Sequence, residues 1–247
     1  IVGLLDQALD GLAIARTNAE KNLQNARNLY TVVLETFFGD LAKFENVELD
    51  TIIELLTDYH ANGSYETLRD NVELKDSEDY AWMVRSTDFE KQFKNGMRYI
   101  SESAYHFLKK SQLFGGEIIM SKIGNAGKVY LMPKVERPCS LAMNLFLIRL
   151  DDNKVNNTYV YRFLKSERGE KQILSKLKGA ATQTITKKEV RSLLIPLPPR
   201  TVQDRFVSEM DDIEVETQRL ASLYCQKLNA LDDLKKALLH KAFSGTL

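Results

Sequence analysis

Proline is scarce in this sequence, five residues in 247, and three of the five crowd into Pro196, Pro198 and Pro199. None follows them, and no glycine stands between Arg200 and Ser244 either, so nothing in that stretch breaks a helix. Cysteine is nearly missing. Cys139 and Cys225 lie far apart and fit neither a metal cluster nor a disulfide framework, which points to a reducing compartment. The three histidines, His60, His106 and His240, lack metal-ligand spacing. Net charge is absent, 34 basic residues against 34 acidic, so no global field draws the chain to nucleic acid or membrane. No apolar run approaches the length of a membrane span, and no charged leader precedes an apolar core, so a cytoplasmic protein without a membrane partner is expected. Phosphate-loop and dinucleotide fingerprints are missing too, and Gly124-Asn-Ala-Gly127 is too short for either. Leu197-Pro198-Pro199-Arg200 lacks the Asn or Asp and the following aromatic with which an adenine methyltransferase grips a flipped base. Carboxylates are plentiful but scattered. The expectation is a binding protein with no catalytic residues, no metal and no cofactor.

What is present begins with the proline-free tail. Apolar or half-apolar residues recur every three or four positions at Phe206, Met210, Ile213, Thr217, Leu220, Tyr224, Leu228, Leu231, Leu234 and Leu238. About forty helical residues at 1.5 Å each make a rod of roughly 60 Å, too long to bury against a small domain, so it needs a partner helix. The first residues supply a matching stripe: Leu5, Leu9, Leu12, Ala15, Ala19, Leu23, Ala26, Tyr30, Val33 and Phe37. The two stretches also align as text. Ile1-Val-Gly-Leu-Leu-Asp6 lies over Phe206-Val-Ser-Glu-Met-Asp211, and Phe37-Phe-Gly-Asp-Leu41 over Phe243-Ser-Gly-Thr-Leu247, which reads as a diverged internal repeat.

Between the rods, residues 43–199 read as one globular α/β domain. Val47, Leu49, Ile52 and Ile53 open it, Gly63-Ser-Tyr65 is a turn, and Tyr80–Arg85 is a short strand. Ile118–Ile123 and Lys128–Met132 flank a turn tolerant of positive φ and predict a hairpin. Leu141–Leu150 reads as one strand, 157–178 as helical, and Thr186 with Glu189 as a capping box before the strand Leu193–Ile195. Local charge is uneven. Residues 162–191 carry nine basic side chains against three acidic, and residues 45–90 thirteen acidic against three basic, an asymmetry that would leave one basic face able to track phosphates.

Several motifs carry a specific resemblance. Ile195-Pro-Leu-Pro-Pro199 with Gln203, Arg205-Phe-Val207 and Met210-Asp211, followed by Leu228-x-x-Leu231-x-x-Leu234-Lys235-x-x-Leu238-Leu239-x-Lys241-Ala-Phe-Ser-Gly245-x-Leu247, resembles the distal repeat of type I restriction-modification specificity subunits. Gly63-Ser-Tyr65, Arg85-Ser-Thr-Asp88, Tyr99-Ile-Ser101, Gly116 to Gly124, Gly127-Lys128 and Gly179-Ala-Ala-Thr-Gln-Thr-Ile185 are similar to a target recognition domain of that family. The likeness covers essentially the whole chain. It departs at Glu117, where many members have Asp, and at Gln203-Asp204, where Glu-Gln is commoner.

The resemblance implies an α+β fold: one mixed α/β target recognition domain (43–199) flanked by two long α-helices (1–42 and 200–247) that pair as an antiparallel coiled coil. It implies a sequence-specific DNA-binding subunit that performs no chemistry, reads one half of a split double-stranded DNA target, and docks the methyltransferase (modification) subunits and, through them, the restriction subunit. Base edges are read by polar side chains and by Arg or Lys on a rigid scaffold. The candidates for DNA contact are therefore Ser64 and Tyr65; Arg85, Ser86 and Thr87; Lys122, Asn125 and Lys128; and Gln183 with Thr184. Two other classes stay open. One is a helical scaffold protein whose middle domain binds protein, which would show no salt-dependent DNA affinity. The other is a solitary nuclease, which would turn over DNA with Mg²⁺ alone. The repeat at residue 1 lacks the proline segment and cap that precede Phe206, so the chain is also expected to be the second half of a longer subunit and to associate as a homodimer.

Overall fold

The computed structural model describes residues 2–41 and 44–245, so Ile1, Thr246 and Leu247 of the aligned repeat ends lie outside the described residues. The chain divides into two compact units, one made of residues 1–37 and 206–247, the other of residues 38–205.

The first unit is a helix pair. α1 spans Val2–Asp40 and α8 spans Arg200–Phe243. Phe37 stacks on Phe206 with ring centroids 3.8 Å apart, and Arg16 forms an ion pair with Asp232. Residues early in one helix thus meet residues late in the other, which makes the pair antiparallel. The seam follows the three-four spacing. Ala19, Leu23, Ala26 and Leu34 are buried from α1, and Phe206, Met210 and Thr217 from α8. The Thr217 hydroxyl donates to the Glu214 carbonyl at 3.0 Å, so its polar group is satisfied within the helix. Leu234 departs from the expected stripe and is 49% exposed. Standing three residues past Leu231, it is rotated roughly 60° away from it around the helix.

The second unit is built on three sheets. A two-stranded pair joins β1 (Asn46–Glu48) to β10 (Leu194–Pro196); Pro196 faces Asn46 at its end, where its missing N–H costs little. The second sheet holds β2 (Ile53–Asp58), β6 (Ile118–Ser121), β7 (Val129–Leu131) and β9 (Leu145–Leu150) in the antiparallel order β2-β9-β6-β7. The third holds β3 (Ala81–Val84), β4 (Tyr99–Ile100), β5 (Gln112–Leu113) and β8 (Cys139–Leu141) in the order β4-β3-β8-β5, with β3 and β8 parallel.

Alternation along the strands decides what each face covers. Ile119, Tyr130, Leu145 and Leu147 of the second sheet share one buried cluster with Val84, Leu113, Cys139 and Leu141 of the third, so these two sheets pack face to face. The other face of the third sheet, with Ala81, Met83 and Ile100, is covered by Leu68 of α2 (Tyr65–Asn71) and Ala104 of α4 (Glu102–Phe107). The other face of the second sheet carries the fully buried Ile118, Met120, Phe146 and Ile148, and α5 (Asn157–Lys165) lies against β7. Each such leucine-sized side chain contributes about 2 kcal/mol of burial energy.

Two expected elements are divided. The single strand at Leu141–Leu150 is two strands in different sheets, because Asn144 adopts φ 64° and turns the corner between them. The helical stretch at 157–178 is α5 followed by α6 (Glu167–Ser175). Ser166 is extended between them and caps α6, its hydroxyl accepting from the Gly169 N–H at 3.3 Å. Gly169 is required there, since a side chain would run into the Phe163 carbonyl. Two basic side chains of 162–191 reach acids of 45–90, Arg191 pairing with Asp50 and Lys187 with Asp58; Lys165, Lys171 and Lys178 pair with Glu170, Glu167 and Glu189 of their own segment. The expected basic face is correspondingly smaller than the sequence count implies.

Candidate nucleic-acid interface

The β6–β7 hairpin is closed by backbone bonds from the Gly127 N–H to the Ser121 carbonyl (2.8 Å) and from the Lys128 N–H to the Asn125 carbonyl (3.1 Å). Gly127 has φ 82°, and a side chain there would meet Ile173 of α6, so the turn sits directly on that helix. A shallow cleft of about 400 Å³ runs along this contact, lined by Asn125 to Lys128 with Glu170, Ile173 and Leu174.

A second loop joins the hairpin. Lys178 and Thr184 exchange backbone hydrogen bonds of 2.9 and 2.8 Å, pinching off residues 179–183; Thr184 bridges to Ile123, and the Ile185 N–H donates to the Lys122 carbonyl at 3.2 Å. Exposed Gln183 stands at the loop's end. The loop then enters α7 (Lys187–Arg191) through the expected capping box, in which Thr186 and Glu189 satisfy each other's backbone N–H groups. The Lys178 ammonium, 2.6 Å away, holds the Glu189 carboxyl below its ordinary pKa.

Between hairpin and loop lies an open cleft of about 560 Å³, with Asp58, Lys122, Phe146, Thr184, Lys187 and Lys188 among its walls. Asp58 is 8% exposed and receives Lys122 at 3.1 Å and Lys187 at 3.6 Å. Burial pushes its carboxyl pKa up, but the hydrogen bond from Lys122 and the charges of Lys187 and Lys122 outweigh that and hold it below the ordinary value. The Lys122 ammonium also lies 5.4 Å from the centre of the Phe146 ring.

Lys122, Asn125, Lys128, Gln183 and Thr184 are thus brought onto one hairpin and the loop bonded to it. Lys128 pairs with Glu90 at 2.7 Å and lies 5.5 Å from the Tyr130 ring; its hydrogen bond, and then its charge, hold the Glu90 carboxyl below the ordinary value. Ser64 and Tyr65 stand elsewhere, at the start of α2, where the Ser64 hydroxyl caps the helix by accepting from the Thr67 N–H and Tyr65 is 69% exposed. Ser86 and Thr87 open α3 (Ser86–Glu90). Arg85 before them is engaged internally: its guanidinium holds the fully buried Asp88 at 2.6 Å and donates to the Gly96 carbonyl at 2.5 Å, while Asp88 also accepts from the Arg85 backbone N–H at 2.7 Å. Asp58, Thr186, Lys187 and Lys188 were not among the sequence candidates. The paired lysines after the capping box were a visible signal for two of them; nothing local distinguishes Asp58 from the other acids around it. Among the described residues, no three His, Cys, Asp or Glu side chains converge as metal ligands. Burial pushes the Cys139 thiol up to about 12, which keeps it protonated at neutral pH.

Residues 42–224 match the family model of the type I restriction modification DNA specificity domain. The chain belongs to this family. A curated relative, the putative type I restriction enzyme MjaX specificity subunit of Methanocaldococcus jannaschii, is 25% identical over 150 residues, 59% of this chain and 34% of that protein. A chain in a structure concerned with complex assembly and conformational transition of the type I R-M system superposes with TM-score 0.71 at 17% identity, covering 100% of this chain and 59% of that one. The HsdS subunit from Thermoanaerobacter tengcongensis superposes with TM-score 0.66 at 18% identity, covering 100% and 57%. These superpositions show the fold. The chain spans about a third of the curated relative's length and somewhat over half of each solved chain.

Two positions at which the chain departs from the usual family pattern have clear local work in the fold. Glu117, 3% exposed, accepts from the Phe114 and Gly115 N–H groups at 2.8 Å each and from Arg149 at 3.2 Å, closing the loop before β6. Gln203, 1% exposed, accepts from the Asn156 N–H at 2.9 Å and donates to the Pro198 carbonyl at 2.8 Å. Arg200 donates to the carbonyls of Asp152 and Val155, at 2.5 and 3.1 Å. The proline-rich segment and the first turn of α8 are therefore bonded into the globular unit.

Proposed function

We propose that this chain is a non-catalytic specificity subunit of a type I restriction-modification complex, working in the cytoplasm and reading one half of a split double-stranded DNA target. In this reading the target recognition domain is residues 43–199, and the helices of 1–42 and 200–247 dock the modification subunits and, through them, the restriction subunit. The observation that carries the reading is the family match over residues 42–224, which takes in nearly all of the globular unit and runs on into α8. The DNA contacts are assigned to Lys122, Asn125, Lys128, Gln183 and Thr184, which share one neighbourhood, with Ser64, Tyr65, Arg85, Ser86 and Thr87 as outlying contacts. Short polar side chains there suit base edges, and the lysines suit phosphate. Two copies of the chain, related by a twofold axis, supply the two halves of the target.

Selection from a random duplex pool by this chain with its modification subunit tests the reading. The expected result is enrichment of one short motif, with affinity falling steeply as salt rises. A pool that stays random through successive rounds overturns it.

A further inference from the structure

The cleft between the hairpin and α7 has an unusual occupant. In a groove lined with three lysines, the floor is a carboxylate: Asp58, with its side chain 11% exposed, lies between Lys122 and Lys187, whose side chains are 29% and 39% exposed. The two lysines come from separate places, one from the residue just after β6 and the other from the first residue of α7, yet both turn to the same carboxylate. Lys188 borders the same cleft. The acid is fixed by the strand that bears it, whereas the lysines have long stems and reach solvent. An ammonium has three donors, so a lysine held below by Asp58 keeps donors for an anion above.

We propose that this cleft takes one phosphate of the DNA backbone, and that Asp58 is its built-in counter-ion, opposing the phosphate for the two lysines and so restraining sequence-independent binding. The inference rests on the DNA-reading function proposed above and names a site within it. Pairs this close to solvent are held weakly, so the lysines exchange toward phosphate at little cost, aided by counterion release from the duplex. The carboxylate stays behind and repels the phosphate. Because a backbone phosphate is the same at every sequence, this restraint weakens target and non-target binding alike and leaves discrimination to base contacts elsewhere.

The test uses the full chain with its modification subunit, a fluorescent random-sequence duplex, and a duplex bearing the selected motif, each titrated over a range of salt. Asp58→Asn is expected to bind both duplexes more tightly, by about fivefold at low salt, the amount that one weak ion pair commands. Their affinity ratio should not change. Lys187→Ala, at a more exposed position, is expected to weaken binding and lower the salt slope by about one. Unchanged or weaker binding by a folded Asp58→Asn variant overturns the proposal, as does loss of the affinity ratio, which would make Asp58 a base reader. Should Asp58→Asn fail to fold, the Lys187→Ala slope decides, and an unchanged slope overturns the proposal. Failure to discriminate by the unmodified chain would instead refute the function reading, because the restraint is scored on the random duplex.

Discussion

Arg85 and Asp88 show how a candidate DNA contact is also bonded into the fold. Asp88 has no exposure and is held by both the guanidinium and the backbone N–H of Arg85. Removing one partner leaves the other desolvated and uncompensated, so Arg85→Ala should lower the unfolding free energy by about 3 kcal/mol in urea titration. A loss within 0.5 kcal/mol, on the order of an ordinary surface change, would contradict that role. Asp58 gives a pH signature. Its folded pKa lies below the ordinary 3.8, so the stabilisation is fully present above that value and is lost as pH falls through the folded value. The stability difference between the parent chain and Asp58→Asn, whose facing cations are Lys122 and Lys187, should therefore be flat near neutrality and shrink in acid. A difference that grows in acid would reverse the assignment.

At the scale of elements, the helix pair tests the seam. Ala19 is 1% exposed, whereas Leu234 is 49% exposed on an equally regular helix. Ala19→Glu should cost about 3 kcal/mol by burying a charge against the partner helix, and Leu234→Glu should stay within about 0.5 kcal/mol, as read by circular dichroism melts. Equal losses would mean a different packing face. Both helices were legible because an uninterrupted three-four period over some forty residues has few other readings. The hairpin and the Thr186 cap were legible from turn and capping chemistry. The break at Ser166 was not, since serine is no helix breaker and only its tertiary setting turns it into a cap. The corner at Asn144 was hidden for a similar reason: Ala142-Met143-Asn144 has neither Gly nor Pro, and the change of sheet depends on which neighbours each strand finds. The meeting of Asp58 with Lys122 and Lys187 could not be read at all, because strand pairing brings together residues remote in sequence.

At the scale of the whole molecule, the proposed function has a chain without chemistry of its own choose where another subunit methylates. Reading one half-site per copy, a twofold pair should direct methylation to a palindromic interrupted motif. The direct measurement is a genome-wide map of methylated adenine in cells expressing this chain with its modification subunit, beside cells expressing the modification subunit alone. The account predicts one discrete motif, two matching half-sites at fixed spacing, present only when this chain is. Methylation without a motif, or a map identical to that of the modification subunit alone, would contradict it.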